Sequence, residues 1–343
     1  MFKRRLQITA AIALTAPALL HAQSSASTTV PVTVDNFKRA ESDMFFGGVV
    51  ERGGFGKFQH RRELVPVDKQ GVVRPNRDTL YSSAVFDLDA GPVTITLPDP
   101  GKRFISMIVI DEDHYVPVVV YAPGTYTFTK EKVGTRYVLM GVRTLVDPTD
   151  PNDFKPVHAL QDAIKVQQTN TGRFDVPDWD RLSQKKIRDA LLVLGTTVSD
   201  SRGMFGTKDQ VNPVQHLIGT ARSWGGNPEK DASMLYFTPS KNDGVTIYKV
   251  NIKDVPVDGF WSITVYNADG YLQPNTYGAY SLNNITAKKS KDGSVAVQFG
   301  GCDSKIANCL PITPGWNYTM RLYRPRAEIL NGSWTRPEPQ PAH

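Results

Sequence analysis

Seven residues, Asn76-Arg77-Asp78-Thr79-Leu80-Tyr81-Ser82, put an amide, a guanidinium, a carboxylate, a phenol and two hydroxyls in one short run. The run leads into Ala84-Val85-Phe86, so it reads as the start of a β-strand. Strand alternation predicts Arg77, Thr79 and Tyr81 on one face and Asp78, Leu80 and Ser82 on the other. A cation, a hydroxyl and a phenol on one face suit an anionic or hydroxylated ligand, with Asn76 and Thr79 as further binding groups. For catalysis the run offers Arg77 as an anion clamp and Tyr81 as acid or base, with Asp78 and His60 completing the polar centre. The other outcome for such a run is a hydrogen-bond network that only fixes the turn and the start of the strand.

A matching constellation lies later in the chain. Trp261, Ile263 and Val265 alternate with Ser262, Thr264 and Tyr266, which predicts a strand with a core face and a hydroxyl face. Tyr266, with Arg321 and Tyr323 from a later strand, would line a second polar cleft or else pack within a sandwich. Asp111-Glu112-Asp113-His114-Tyr115 follows an apolar strand. Three acids and a histidine there could hold Ca²⁺ or work as an acid/base cluster, and a solvated turn has the same composition. Glu41 and Asp43 lie on a predicted helix over Asp35–Val50. An acid turned inward there needs an arginine partner or a raised pKa. Rings near turns, Tyr271, Tyr277, Tyr280, Trp316 and Trp334, suit carbohydrate stacking or core filling.

Other chemistries lack their motifs. There is no G-x-S-x-G elbow and no βαβ alternation, which argues against an α/β-hydrolase. Gly56-Lys57 is followed by Phe58 rather than Ser or Thr, and no G-x-G-x-x-G follows a strand, so nucleotide chemistry is not expected. His60, His114, His158 and His216 lie far apart with no H-x-H or H-E-x-x-H; neither a metal site nor a cofactor is expected.

Met1 to Ala22 reads as a secretory signal peptide: Lys3-Arg4-Arg5, then uncharged Leu6 to Leu20, with Ala22 before the cut. The apolar stretch is too short for a membrane span and Pro17 interrupts it. The formal net charge is +6 and falls to +3 once those three basic residues are removed. The basic balance therefore gives no case for nucleic acid. A periplasmic or secreted location is expected. Cys302 and Cys309 are the only cysteines, and in an oxidising compartment they predict a small disulfide.

With 343 residues, 40% of them hydrophobic and 22% charged, the chain is no disordered polymer and has length for about two domains. Short strands recur from Leu64 to Val146 and again from Leu235 to Tyr323, broken by turns such as Asp89-Ala90-Gly91-Pro92 and Asn242-Asp243-Gly244. Helices are predicted over His158–Val166, Trp179–Val198 and Gln210–Ala221. The expected fold is mainly β: two jelly-roll-like antiparallel β-sandwich domains, residues 35–155 and 224–336, joined by a helical connector over 156–223. A flexible leader is expected at 23–34 and a disordered tail at 337–343.

The run Asn76 to Ser82, with Asp87-Leu88 and Gly91-Pro92-Val93, resembles the N-terminal half of a bacterial two-part family, domain of unknown function 1254 followed by domain of unknown function 1214. The second half resembles it through Trp224-Gly225-Gly226-Asn227-Pro228, Gly259 to Tyr266, Asn275, Tyr280-Ser281-Leu282, Arg321-Leu322-Tyr323-Arg324-Pro325 and Ile329 to Trp334. The resemblance implies two β-sandwich domains joined by helices in exported proteins, and no settled activity. The family tends to have Asn-Trp-Leu-Pro before its last strand, where this chain has Asn308-Cys309-Leu310-Pro311; the aromatic has become a cysteine, which supports a bridge to Cys302.

Two functions fit these readings. One is an exported hydrolase or lyase acting on a glycan or ester in a cleft between the sandwiches. The other is a non-catalytic envelope protein that binds a glycan, a small ligand or a partner protein. Neither involves nucleic acid or a membrane span, and an oligomer is compatible with both.

Overall fold

Apolar residues at every second position build the N-terminal half of the structure, a computed structural model that describes residues 29–342 other than Ser199. The predicted signal peptide lies outside the described residues. In chain order the elements are α1 (Phe37–Glu51), β1 (Gln59–His60), β2 (Thr79–Asp87), β3 (Val93–Leu97), β4 (Ile105–Asp111), β5 (Val118–Tyr121), β6 (Gly124–Phe128), α2 (Lys130–Val133), β7 (Tyr137–Leu145), α3 (Phe154–Asp162) and β8 (Lys165–Gln167). They form a five-stranded sheet, β1-β2-β7-β4-β5, and a three-stranded sheet, β6-β3-β8. All pairs are antiparallel. Phe86, Ile95, Leu97, Met107 and Met140 fill the space between the two sheets. Every residue of β4 is buried, because its second face meets Phe46 and Val49 of α1.

The connector differs from expectation in one respect. Lys165 and Val166, the end of the stretch predicted as helix, instead open β8 (Lys165–Gln167), which extends the smaller N-terminal sheet beside β3. Two helices follow, α4 (Arg181–Gly195) and α5 (Pro213–Ser223). They clasp α1 against β2. Asp180 caps α4 by accepting from the Leu182 and Ser183 amides, and Asn212 caps α5 in the same way. Because α1 has neighbours on both sides, it buries polar groups as well as Phe37 and Ala40. Glu41, 1% exposed, takes two hydrogen bonds from Arg188 at 2.6 and 3.0 Å. The leader is not free over its described part: Val30 bridges the strand-like segment at Trp179, and Val32 is buried in the helical layer. Its apolar side chains gain from that burial.

The C-terminal half comprises β9 (Ala232–Phe237), β10 (Tyr248–Ile252), β11 (Trp261–Tyr266), β12 (Ser281–Asn283), β13 (Val295–Phe299), β14 (Cys309–Leu310), β15 (Asn317–Tyr323), α6 (Ala327–Leu330) and β16 (Gln340–Pro341). Its sheets are β14-β13-β10-β16 and β12-β11-β15-β9. The β13–β14 pair is parallel and the others antiparallel. Trp316, with no exposed surface, sits among Tyr248, Phe299 and Tyr318 in the core between them, so this ring fills the interior rather than a binding surface. Within the tail predicted to be disordered, Gln340 and Pro341 instead pair along β10, opposite Lys249 and Tyr248. The fold is mainly β, as expected, and among the described residues no helix is long and apolar enough to cross a membrane.

Cys302 and Cys309 form the disulfide. Asn308 beside it has a positive φ of 54° and braces the loop through bonds to Lys288 and Ala296. Replacing both cysteines by serine should lower stability by roughly 2 kcal/mol, the loop-closure value for so short a ring. A urea midpoint that does not move would mean that Asn308 holds the loop unaided.

Candidate functional site

The predicted strand start lies at the junction of the two halves, where β11 and β15 turn their polar face toward the N-terminal half. Asn76 is the hub. Its Nδ2 donates to Tyr81 Oη at 3.1 Å, Tyr323 Oη at 3.1 Å and Thr79 Oγ1 at 3.2 Å, and its Oδ1 accepts from the Asp78 amide at 2.8 Å. Residues 247 positions apart are thus joined through one amide. Burial pushes the Tyr81 phenol up, but the Arg143 charge and the bonds to Thr79, Asn76 and Arg143 outweigh it and hold the phenol below its ordinary value. Arg143 lies over the Tyr81 ring at 5.7 Å. For Tyr323 the outcome is opposite: burial, reinforced by Tyr81, holds it protonated.

Arg321, 3% exposed, is the second hub. Its Nη1 donates to Thr264 Oγ1 at 2.8 Å, and its Nη2 donates to Tyr266 Oη at 2.6 Å and to the Arg74 carbonyl at 2.9 Å. Tyr266 Oη donates onward to the Pro75 carbonyl at 2.9 Å. Burial opposes the Arg321 charge, but Tyr266, Tyr323 and Asp78 more than restore it. Asp78 has no exposed surface. Burial raises its pKa, against the field of Arg321 and the nearby Ser262 and Asn283. Asn283 Nδ2 reaches Asp78 Oδ1 at 3.5 Å. Ser262 favours the ionised form, yet neither Asp78 Oδ2 nor Ser262 Oγ completes a hydrogen bond in this geometry.

The predicted site residues therefore fall into three places. Asn76, Thr79, Tyr81 and Tyr323 meet, and Tyr266 meets Arg321, but inside a seam rather than in the second cleft expected of Tyr266, Arg321 and Tyr323. Ser262, Thr264 and Tyr266 are all buried, because a second domain covers the hydroxyl face. Arg77 does not share a face with Tyr81: β2 begins at Thr79, so alternation does not reach back to residue 77. His60 is also apart. It pairs with Ser82 across β1 and β2, its Nδ1 lies 2.7 Å from Ser82 Oγ, and Ser82 faces away from Tyr81. Burial, aided by Arg62, lowers the His60 pKa.

Arg77 lines a groove of about 410 Å³, with Tyr277, Tyr280, Asp303 and Asn308 among the other walls. Its guanidinium lies 5.1 Å from the Tyr280 ring centre. Tyr277 is 49% exposed, and its hydroxyl donates to the Cys302 carbonyl at 2.8 Å. The disulfide loop thereby fixes one wall.

Sequence reasoning missed Arg143 and Arg74. Arg143 stands directly opposite Tyr81 in the β2–β7 register and donates to Asn227 Oδ1 at 3.0 Å; an arginine within the apolar strand Tyr137–Leu145 was the available signal. Arg74 has a positive φ of 51° and donates to Asn317 Oδ1 at 3.0 Å; no local pattern marks it. The acidic run after β4 is not a solvated turn either. Asp111, Glu112 and His114 are buried. His114 Nε2 accepts the Gly225 amide at 2.8 Å, and its ring stacks between His216 at 5.5 Å and Trp224 at 5.2 Å.

Residues 55–168 match the family described as a protein of unknown function (DUF1254), and residues 236–327 match the one described as a protein of unknown function (DUF1214). No curated protein matches. The chain is similar to a Vibrio parahaemolyticus protein of known crystal structure, with 19% identity and a TM-score of 0.71 over 90% of this chain and 98% of that one. It is also similar to an uncharacterised Burkholderia cenocepacia protein, with 12% identity and a TM-score of 0.52 over 90% and 86% of the two chains. Identities this low speak to the fold alone. The two family segments occur in order and occupy the two halves that meet at the Asn76 and Arg321 seam, so the chain belongs to the two-part DUF1254–DUF1214 family.

Proposed function

We propose that the protein binds a hydroxylated, anionic small molecule or glycan in the groove beside Arg77, outside the cytoplasm and without turning it over. Arg77 carries this reading. Among the described residues its one hydrogen bond runs from Nη1 to the Val65 carbonyl at 2.5 Å. Among the described residues no acceptor meets the rest of its fork, and the side chain lines the groove. An arginine fork of this kind suits a carboxylate or sulfate. The exposed Tyr277 ring on the same wall suits stacking on a sugar face. Export is supported by the Lys3-Arg4-Arg5 and Leu6–Leu20 pattern and by the Cys302–Cys309 disulfide.

The hydrolase or lyase reading keeps one observation in its favour, the Tyr81 phenol held below its ordinary pKa. Against it, neither Tyr81 nor Asp78 lines the groove. Titration calorimetry with uronate-containing and neutral oligosaccharides separates the two. Binding selective for the acidic probes is expected, weakened about tenfold by Arg77→Gln, the loss of one charge-assisted contact. Equal affinity for neutral probes, or an unchanged Arg77→Gln, would remove the binding proposal. Probe cleavage that stops in Tyr81→Phe would establish the catalytic one.

A further inference from the structure

A separate cavity of about 450 Å³ lies in the N-terminal half, between α1, the turn after β4, the start of β7 and residues 175–179. Arg39, Asp43, Glu112, Arg136, Tyr137 and Trp179 line it. Asp43 is 3% exposed. Its Oδ2 accepts from Trp179 Nε1 at 2.8 Å, while Oδ1 is buried with no hydrogen-bond partner among the described residues.

The charges on the wall are unevenly matched. Arg136 is bound to both oxygens of Asp87, at 2.8 and 3.1 Å, and Lys130, also on the wall, is bound to Asp89 at 2.6 Å. Arg39 spends its Nε and Nη2 on Asp113 at 3.1 and 2.8 Å, and approaches Glu112 only at 3.6 Å through Nη1. These three cations each have a carboxylate, whereas Asp43 makes no ion pair among the described residues. Burial lifts Asp43 to about 6; the Trp179 bond and Arg39 act against the rise, and Glu112 and Asp113 add to it. What Asp43 Oδ1 lacks is a cationic N–H donor. The cavity's size and its two rings suit an organic group rather than a bare ion, and no group of three metal-binding side chains occurs among the described residues.

We propose that this cavity binds a small organic cation, a primary amine or a guanidine, whose N–H groups donate to Asp43 Oδ1 and whose charge balances Asp43. The Tyr137 and Trp179 rings take its carbon chain.

Calorimetry and thermal shift with putrescine, n-butylamine and methylguanidine, against n-butanol and acetate, test this. The cations should bind and raise the melting temperature, and n-butanol and acetate should not. Asp43→Asn keeps an acceptor for Trp179 Nε1 and should weaken cation binding at least about tenfold, the loss of one charged contact. Absence of binding by all three cations at millimolar concentration, equal binding of n-butanol, or undiminished binding by Asp43→Asn would overturn the proposal. Should that variant fail to fold, crystals of the unaltered protein soaked in putrescine decide: an amine nitrogen within hydrogen-bond distance of Asp43 Oδ1 supports the site, and its absence there refutes it.

Discussion

Truncation of Arg321 to alanine should destabilise the protein by roughly 3–5 kcal/mol, the range for leaving a buried charge network without one partner. The guanidinium joins Thr264, Tyr266 and the Arg74 carbonyl, and its field holds Asp78. Removing it takes a donor from a phenol, a hydroxyl and a carbonyl and the compensating charge from a carboxylate, all between the two halves. Urea unfolding gives the value. A loss below about 1 kcal/mol, the net worth of one ordinary hydrogen bond, would show that the seam does not hold the halves together. Asp78→Asn in the same background should recover about 1 kcal/mol or more, because it removes the charge left unpaired; a double-mutant cycle reads that coupling.

The second large effect has the opposite sign. Asp111→Asn should stabilise the protein at pH 8 and leave it nearly unchanged at pH 4. Burial pushes the Asp111 carboxyl up to about 7; the Tyr115 and Asp113 amides act against this, and the Asp113 charge adds to the rise. Below about pH 4 the acid is neutral both folded and unfolded. Between pH 4 and 7 the unfolded chain has released its proton while the folded one keeps it, so wild-type stability falls as pH rises through that window. Above pH 7 the deficit is complete. At about 1.4 kcal/mol per unit, a shift of some three units sets a ceiling of about 4 kcal/mol. The carboxamide oxygen of the variant would keep the acceptor for the Asp113 and Tyr115 amides, now bonded to Asp111 Oδ1 at 2.9 and 2.8 Å. Equal gains at both pH values, or a loss at pH 8, would refute the argument.

Where one face of a strand met core and the other met water, the sequence was readable. Val93–Leu97 alternates buried and half-buried residues as its pattern predicts, and Val295–Phe299 was bounded correctly. Reading failed where a polar face is covered. Ser262, Thr264 and Tyr266 have the composition of a solvated face, but a second domain that supplies its own hydrogen bonds accepts the same residues. For the same reason the polar run from Asn76 was recognisable while its partners were not: Arg321 and Tyr323 arrive from far along the chain, and no local period encodes that meeting. β8 escaped notice because its three residues offer only Val166 as an apolar signal. Glu41 and Asp43 face inward because α1 is covered on both sides, which a single amphipathic stripe does not describe.

The returning segment against β10 has one more consequence. The Ala342 amide donates to the Ile247 carbonyl at 2.8 Å, and Pro341 stands opposite Tyr248. Within β16 the outward-facing position is therefore residue 341, a proline with no N–H. The outer rim of this two-residue edge thus offers a would-be partner strand no N–H at residue 341, which disfavours edge-to-edge pairing of copies there by chemistry rather than by charge.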